Sequence, residues 1–198
     1  MIVENVRAYP FSDLVSKLRE VRLVGFGQPL IYADSKITTR RVWDFSQATP
    51  AQNYVINAQV DRVLELRKAL RDYSVNIFNL DGYVEYTHEG QEYTCLPPIL
   101  ESSSDAQGYQ VDIVVDGMHR LMAARDGLNV INVIHIARVP SSYPYYAWPI
   151  TWREVARVDK RPDKGGRKSY RREGDSYKDL FRDFNAVFPN AQPSRAGM

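Results

Sequence analysis

The stretch VDIVVDGMHRLMAAR, Val111 to Arg125, constrains the fold more than any other part of the chain. Apolar residues run up to Asp116 in the manner of a strand, Gly117 interrupts them, and small and apolar residues then follow at helical spacing. A strand that gives way to a helix across one glycine must bury both elements against a common core, which predicts an α/β arrangement. It also sets Asp116, Gly117, His119 and Arg120 at the helix start. A helix start offers N–H groups without intrahelical partners and the positive end of the dipole, so anions are favoured there. Glycine admits a ligand close to the backbone, and arginine and histidine add a forked cation and a switchable donor, a set suited to phosphate. Asp116 has three open roles: helix cap, metal ligand or base. A plain capped helix with Arg120 paired to a surface carboxylate satisfies the same residues, and the sequence leaves both readings open.

The rest of the chain is punctuated clearly enough to divide. SDLVSKLREVRLVGF predicts a short helix with Ser12 as N-cap, Leu14, Val15, Leu18 and Val21 on one face, and Gly25 at its end. KITTRRVWDFS alternates as a strand. Tyr54 to Asp72 has helical spacing, with Ile56, Val60, Val63, Leu64 and Leu70 apolar and a charged opposite face. SVNIFNL is a strand candidate, and YVEYTHEGQEYTCL a hairpin turning at His88-Glu89-Gly90. YQVDIVV and NVINVIHIARV predict strands on either side of the helix that Gly127 closes. After Pro140 the chain is aromatic, then basic. A helix is expected near Thr151, and a second over DSYKDLFRDFNAVFP, capped by Asp175, with Tyr177, Leu180, Phe181, Phe184, Val187 and Phe188 on its apolar face. The expected organisation is an N-terminal helical segment (1–36), a mixed sheet with short helices (37–140), and an aromatic and basic extension ending in a helix (141–198).

Composition excludes little. The net charge is +2, but residues 157–172 carry eight basic side chains against Asp159 and Asp163, which leaves the remainder at −4. That stretch, Arg157 to Arg172, is either a solvated connection or a contact for nucleic-acid phosphates. Cys95 is the single cysteine, so no intrachain disulfide forms. With no apolar run at the N-terminus, a cytoplasmic protein without membrane association is expected. Cys95 itself reads as a packed small hydrophobe. The three histidines lack short ligand spacing for structural zinc, and neither a Walker-type loop nor a nucleophile elbow occurs.

DGMHRLMAAR followed by GLNVINVIHI resembles the signature of the ParB/sulfiredoxin superfamily, and in its Asp-Gly-x-His-Arg form is similar to free-serine kinases and DGQHR-type proteins of DNA-modification systems. RRVWDFSQATPAQNYVINAQVDRVLELRKAL resembles the opening of such domains, and LPPIL the strand before the signature, so the resemblance covers about Arg40 to Val139. It implies a ParB/sulfiredoxin-like fold with a nucleotide phosphate site in which Gly117, Met118, His119 and Arg120 contact phosphate. In free-serine kinases a catalytic Glu stands near the earlier Pro turn; here Gln52 takes the nearest position, and an amide accepts no proton from a hydroxyl. Asp116, Asp61 and Glu20 are the candidate replacements, and Arg62 lies early enough on its helix to approach a phosphate.

Two functions follow from the resemblance. One is a phosphotransferase or ATPase using Mg²⁺ with ATP or ADP on a small hydroxyl compound such as a free amino acid. In it Asp116 and His119 are catalytic, Asp116 is the Mg²⁺ ligand, and the aromatic region Tyr143 to Trp152 walls the acceptor pocket or covers the sheet edge. The other is a ParB-like DNA-binding or DNA-modification protein, with a nuclease as its weaker form, contacting nucleic acid through Arg157 to Arg172. CTP is the nucleotide that would point toward partition-type chemistry, and a second copy of the chain is a candidate partner. Sulfiredoxin chemistry requires a Cys immediately before the His-Arg pair; Met118 stands there, so that activity is excluded.

Overall fold

A computed structural model describes residues 1–24, 28–104, 108–143, 150–163 and 177–191. In chain order the elements are β1 (Glu4–Tyr9), α1 (Phe11–Leu18), β2 (Arg22–Leu23), β3 (Lys36–Val42), β4 (Tyr54–Ile56), α2 (Asn57–Leu70) and β5 (Tyr83–His88). They continue with β6 (Gln91–Cys95), β7 (Ile99–Ser104), β8 (Gln110–Asp116), α3 (Met118–Asp126), β9 (Ile131–Ala137), β10 (Ala156–Val158) and β11 (Arg182–Asp183). The fold is mixed α/β. A four-stranded sheet in the order β3-β9-β7-β8 is its centre, and β1-β5-β6 form a second sheet. Among the described residues no helix is long and apolar enough to cross a membrane.

The pleat of the central sheet sorts its side chains into two cores. Successive residues of a strand point to opposite faces. Leu100, Val114 and Val133 therefore enter the core under α2 and α3 with Val60, Leu70 and Leu121. Ile99, Ile134 and Ile136 enter the other, with Leu14, Tyr32, Phe184 and Phe188. α2 packs against α3 over the first face. β9, which runs parallel to β7 and antiparallel to β3, is buried on both sides, which explains its nearly continuous apolar run.

Several sequence expectations meet local physics that overrides them. The expected helix from Tyr54 begins three residues later, because Tyr54–Ile56 pair in parallel with β10. SVNIFNL is not a strand. Asn76 Oδ1 accepts from Phe78 N–H at 3.1 Å, an Asx turn, while Phe78 C=O accepts from Asn132 N–H at 2.7 Å. The first helix starts after Pro10 rather than at Ser12, which lies inside it, and ends at Leu18; Gly25 lies outside the described residues. The hairpin does turn at Glu89-Gly90, both with positive φ (51° and 74°), the twist that a two-residue hairpin loop favours. β1 joins β5, so the N-terminal stretch shares a sheet with the hairpin.

Past Pro140 the expected helices are replaced by single turns. Thr151 opens one 3₁₀ turn, Trp152–Glu154, through a reciprocal capping box with Glu154, and β10 follows directly. The described part of DSYKDLFRDFNAVFP is two 3₁₀ turns, Tyr177–Leu180 and Phe184–Ala186, flanking β11; Asp175 lies outside the described residues. A helix is prevented here by Arg182. Its guanidinium is fully buried against Glu101 of β7, Nε to Oε2 at 2.9 Å and Nη2 to Oε1 at 2.6 Å, and also donates to the carbonyls of Leu180 and Tyr143. Tyr32 Oη donates to the same carboxylate at 2.9 Å. Glu101 needs this partner, and β11 supplies it by pairing with β2 in extended form. The apolar face still reaches a core, through Phe184 and Phe188.

Removing one partner of such a pair leaves a buried charge unpaired, at a cost of about 3–5 kcal/mol. Glu101→Gln is expected to lower unfolding free energy by that amount in urea denaturation, and Glu101→Leu with Arg182→Leu to recover most of it. A loss below about 1 kcal/mol in the single variant would show that the pair does not hold the C-terminal segment.

Candidate functional site

The turn at Gly117 builds the site. Gly117 has φ 92° and ψ 20°, the left-handed region, and caps α3 from outside the helix. A Cβ there would lie 2.7 Å from both Cα and Cβ of Pro98, so no other residue fits this approach. With the backbone reversed at that point, Asp116 at the end of β8 and Arg120 one turn into α3 face each other. Arg120 Nη2 donates to Asp116 Oδ2, with both side chains about 11% exposed. Burial opposes the charge on Arg120, but the carboxylate beside it wins, and its pKa is raised. The Nε of Arg120 is buried with no hydrogen-bond partner. Native structures rarely leave a buried guanidinium donor unmet, and the Cys95 thiol lies beside this one.

These residues open onto a cavity of about 490 Å³ between α2, the β5–β6 hairpin, the start of α3 and the end of the C-terminal segment. Asp116, Gly117, His119 and Arg120 form its inner end, and Arg62 of α2 lines the same cavity. Tyr86 and Tyr93 make a wall, stacked at 5.6 Å between centroids and 19° between planes, with the Arg62 guanidinium 5.7 Å over Tyr93. Cys95 sits beside Arg120; burial pushes its thiol up, only partly countered by that arginine. Asp116 is the one acid lining the cavity among the described residues.

His119 behaves differently from the cation that its position implies. Its Nε2 accepts from Ile56 N–H at 3.2 Å, which ties the start of α3 to the start of α2. Burial, reinforced by the neighbouring Arg120 and only partly opposed by Asp116, lowers its pKa to about 4. At neutral pH the ring is uncharged, leaves positive charge in the cavity to the arginines, and offers Nδ1–H as a donor.

The other sequence candidates lie elsewhere. Met118 points into the core. Gln52 donates to Tyr54 C=O at 2.8 Å and does not line the cavity. Asp61 and Glu20 are exposed and outside it. Of the aromatic region, Tyr143 packs on one core and Trp152 on the other, while 144–149 lie outside the described residues. In the basic stretch, Arg157 is held at 2.8 Å by both Asn57 and Asp126, and residues 164–172 lie outside the described residues. The cavity residues that the sequence reading missed include Gln59, Tyr86, Gln91, Tyr93 and Asn190. Alternation in the hairpin placed Tyr86 and Tyr93 on one face, but nothing local said what that face would meet.

A second polar cluster lies on the central sheet. Asp112 accepts from Ser102 at 2.6 Å and pairs with Arg40 at 2.8 Å; His135 Nε2 lies 3.0 Å from Asp112 and 2.8 Å from Ser102. Burial pushes the Asp112 carboxyl up, but hydrogen bonds from His135 and Ser102 outweigh it, bringing the pKa to about 2. One ring nitrogen faces both partners, so the imidazole cannot relay a proton from Ser102 to Asp112 as a catalytic triad does.

The family model of the ParB CE domain matches residues 13–156. No curated protein and no solved structure matches the chain.

Neutral His119 has a consequence for stability. Above pH 6.5 the ring is uncharged folded or unfolded and contributes nothing; between 6.5 and about 4 the unfolded chain alone takes the proton. Stability therefore falls as pH falls through that window, by up to about 3 kcal/mol, and the loss is complete below it. His119→Gln keeps an acceptor for Ile56 N–H and removes the titration. Urea denaturation from pH 7 to 4 should show a shallower decline in the variant; equal slopes would mean that the ring is not held neutral.

Proposed function

The chain belongs to the ParB CE domain family, and from that premise we propose that its cavity binds a nucleotide by the phosphates and transfers or hydrolyses a phosphoryl group. One observation carries the reading: a cavity of about 490 Å³ gathers Asp116, Gly117, His119 and Arg120 at one end, with Arg62 lining it as well and a donor of Arg120 unmet. The volume suits a small-molecule ligand. Two arginines against one carboxylate favour an anion, and the forked guanidinium of Arg120 matches phosphate oxygens better than a point charge does. The start of α3 adds backbone donors and a favourable dipole. His119 serves as a neutral donor.

Mg²⁺ with ATP or ADP fits this donor set in a limited way. Among the described residues no group of three or more His, Cys, Asp or Glu is placed to hold a metal ion. Asp116 is the residue that would hold Mg²⁺, with phosphate oxygens and water as the other ligands, the usual manner of binding for this cation. When bound, Mg²⁺ neutralises charge on the phosphates. The chain's own contribution is then positioning by Arg120 and Arg62 and exclusion of water by the tyrosine wall. Phosphoryl transfer passes through a loose transition state in which positioning and charge stabilisation dominate, so Gln52 in place of a carboxylate is compatible with it. The acceptor is a small hydroxyl-bearing compound.

Arg120 cannot be deleted cleanly, since its loss removes the buried ion pair with Asp116. Arg120→Lys keeps a charge near the carboxylate without the fork, and Arg62 is exposed, so Arg62→Ala leaves the core intact. Melting of the full chain is followed with Mg²⁺ and ATP, ADP or CTP. A nucleotide at 100 times its dissociation constant stabilises by roughly 2.7 kcal/mol. Each variant is expected to weaken the wild-type shift, with affinity down about tenfold or more, the worth of a lost charged hydrogen bond. No shift for any nucleotide with the wild type would overturn the reading.

A further inference from the structure

The cavity is longer than its anion-binding end and changes character along β6. Cys95 lies against Arg120 at the inner end. Gln91, four residues away on the same strand, lies about 13 Å further out at the rise of an antiparallel strand. Between them stands the stacked pair of Tyr86 and Tyr93. Beyond the rings the wall turns polar and uncharged. Gln91 Oε1 accepts from Tyr93 Oη at 3.0 Å, and Asn190 Nδ2 donates to Glu92 C=O at 2.8 Å. Each amide thus uses one end on the protein. Gln91 Nε2, a donor, and Asn190 Oδ1, an acceptor, have no partner among the described residues.

Asn190 belongs to the C-terminal segment and lies beyond residue 156, where the family match ends. It adopts φ 50°, a conformation asparagine tolerates better than most residues. Its segment is anchored by the buried Arg182–Glu101 pair and by Phe188, whose ring meets Tyr83 of β5 edge-on at 5.6 Å. The cavity wall at this end is therefore fixed to the hairpin and is not a loose tail. An anion-binding end, then two stacked rings, then a donor and an acceptor match in order what a nucleoside phosphate presents: phosphate, planar base, and hydrogen-bonding edge.

We infer that Asn190, with Gln91, is a specificity-determining residue of the cavity, reading the edge of a base that lies against the Tyr86–Tyr93 pair while the phosphates sit at Arg120. The inference rests on the nucleotide reading of the same cavity and adds what distinguishes a nucleotide from an inorganic polyphosphate. It also gives the C-terminal segment a role that the matched domain does not carry: it supplies the outer wall of the site.

The test measures equilibrium binding of ATP, CTP, GTP and inorganic tripolyphosphate, each with Mg²⁺, to the full chain. Asn190→Gly removes the amide and accepts the positive φ, and Tyr93→Leu removes the ring; melting of the unliganded variants checks the fold. The expected result is that one nucleotide binds the wild type best. Asn190→Gly should weaken that nucleotide about three- to tenfold, the worth of one hydrogen bond, and narrow its lead over the others. Tyr93→Leu should weaken all three nucleotides, and tripolyphosphate affinity should hold in both variants. The inference is overturned if the wild type binds tripolyphosphate as tightly as every nucleotide. It is overturned equally if Asn190→Gly lowers nucleotide and tripolyphosphate affinity together or changes neither. Nucleotide binding that depends on Asn190 but not on Arg120 or Arg62 would overturn the placing of the phosphates at Arg120 and with it both readings as stated; dependence on Arg120 and Arg62 without dependence on Asn190 would sink this inference alone, and binding of no probe at all would sink both.

Discussion

The close approach of Gly117 to Pro98 is the constraint on which the rest of the structure depends. Pro98 C=O accepts from Ile134 N–H at 2.8 Å, and Ile99 is registered with both Asp116 and Ile134. The start of β7, the end of β8 and the middle of β9 are thus locked at one spot, and α3 must leave from it. Because a Cβ at 117 would strike Pro98, the chain reverses there through a left-handed glycine. That reversal turns Arg120 back onto Asp116. The same geometry that closes the sheet therefore aims a guanidinium into the cavity, so the glycine has a packing reason for being there whether or not a ligand binds.

Two buried arginines show how burial separates structure from function. Arg182 meets Glu101 twice and two backbone carbonyls besides, so every nitrogen of its guanidinium has a partner. A group so saturated has nothing left for a ligand, and its place is that of a clamp. Arg120 meets Asp116 but leaves Nε without a partner, and its side chain lines the cavity. An unmet buried donor costs stability, of the order of 1–3 kcal/mol. It is retained where filling it with a protein acceptor would fill the cavity too.

What was legible in the sequence was whatever periodicity and turn chemistry express locally. The alternation of β3 and β8, the Glu89-Gly90 turn, the spacing of α2 and the strand–glycine–helix passage all come from interactions within about ten residues. The missed elements were decided at longer range. Arg182 reads as an ordinary charged residue on a helical face until Glu101, 81 positions away, is known to lie buried opposite it. Val75 to Leu80 carries strand-like residues, yet Asn76 folds its own turn and Asn132 claims Phe78. Of the site, Asp116, Gly117, His119 and Arg120 were legible because they sit on consecutive positions of one motif. Asn190 and Gln91 come together only through the docking of a segment that no local pattern ties to the hairpin.

The charge state of His119 shows why adjacency in sequence is a poor guide to electrostatics. Beside Arg120 at a helix start, a histidine is a switchable donor whose charge the sequence leaves open. Three influences act on it at once. Burial penalises the imidazolium, the neighbouring guanidinium repels it, and Asp116, already paired with Arg120, returns only part of the cost. The hydrogen bond from Ile56 N–H then requires Nε2 to be unprotonated, since a donor cannot face a donor. The His-Arg pair is thus an asymmetric device: one member carries the charge, and the other holds α2 and α3 together at the distance that keeps the cavity open between them.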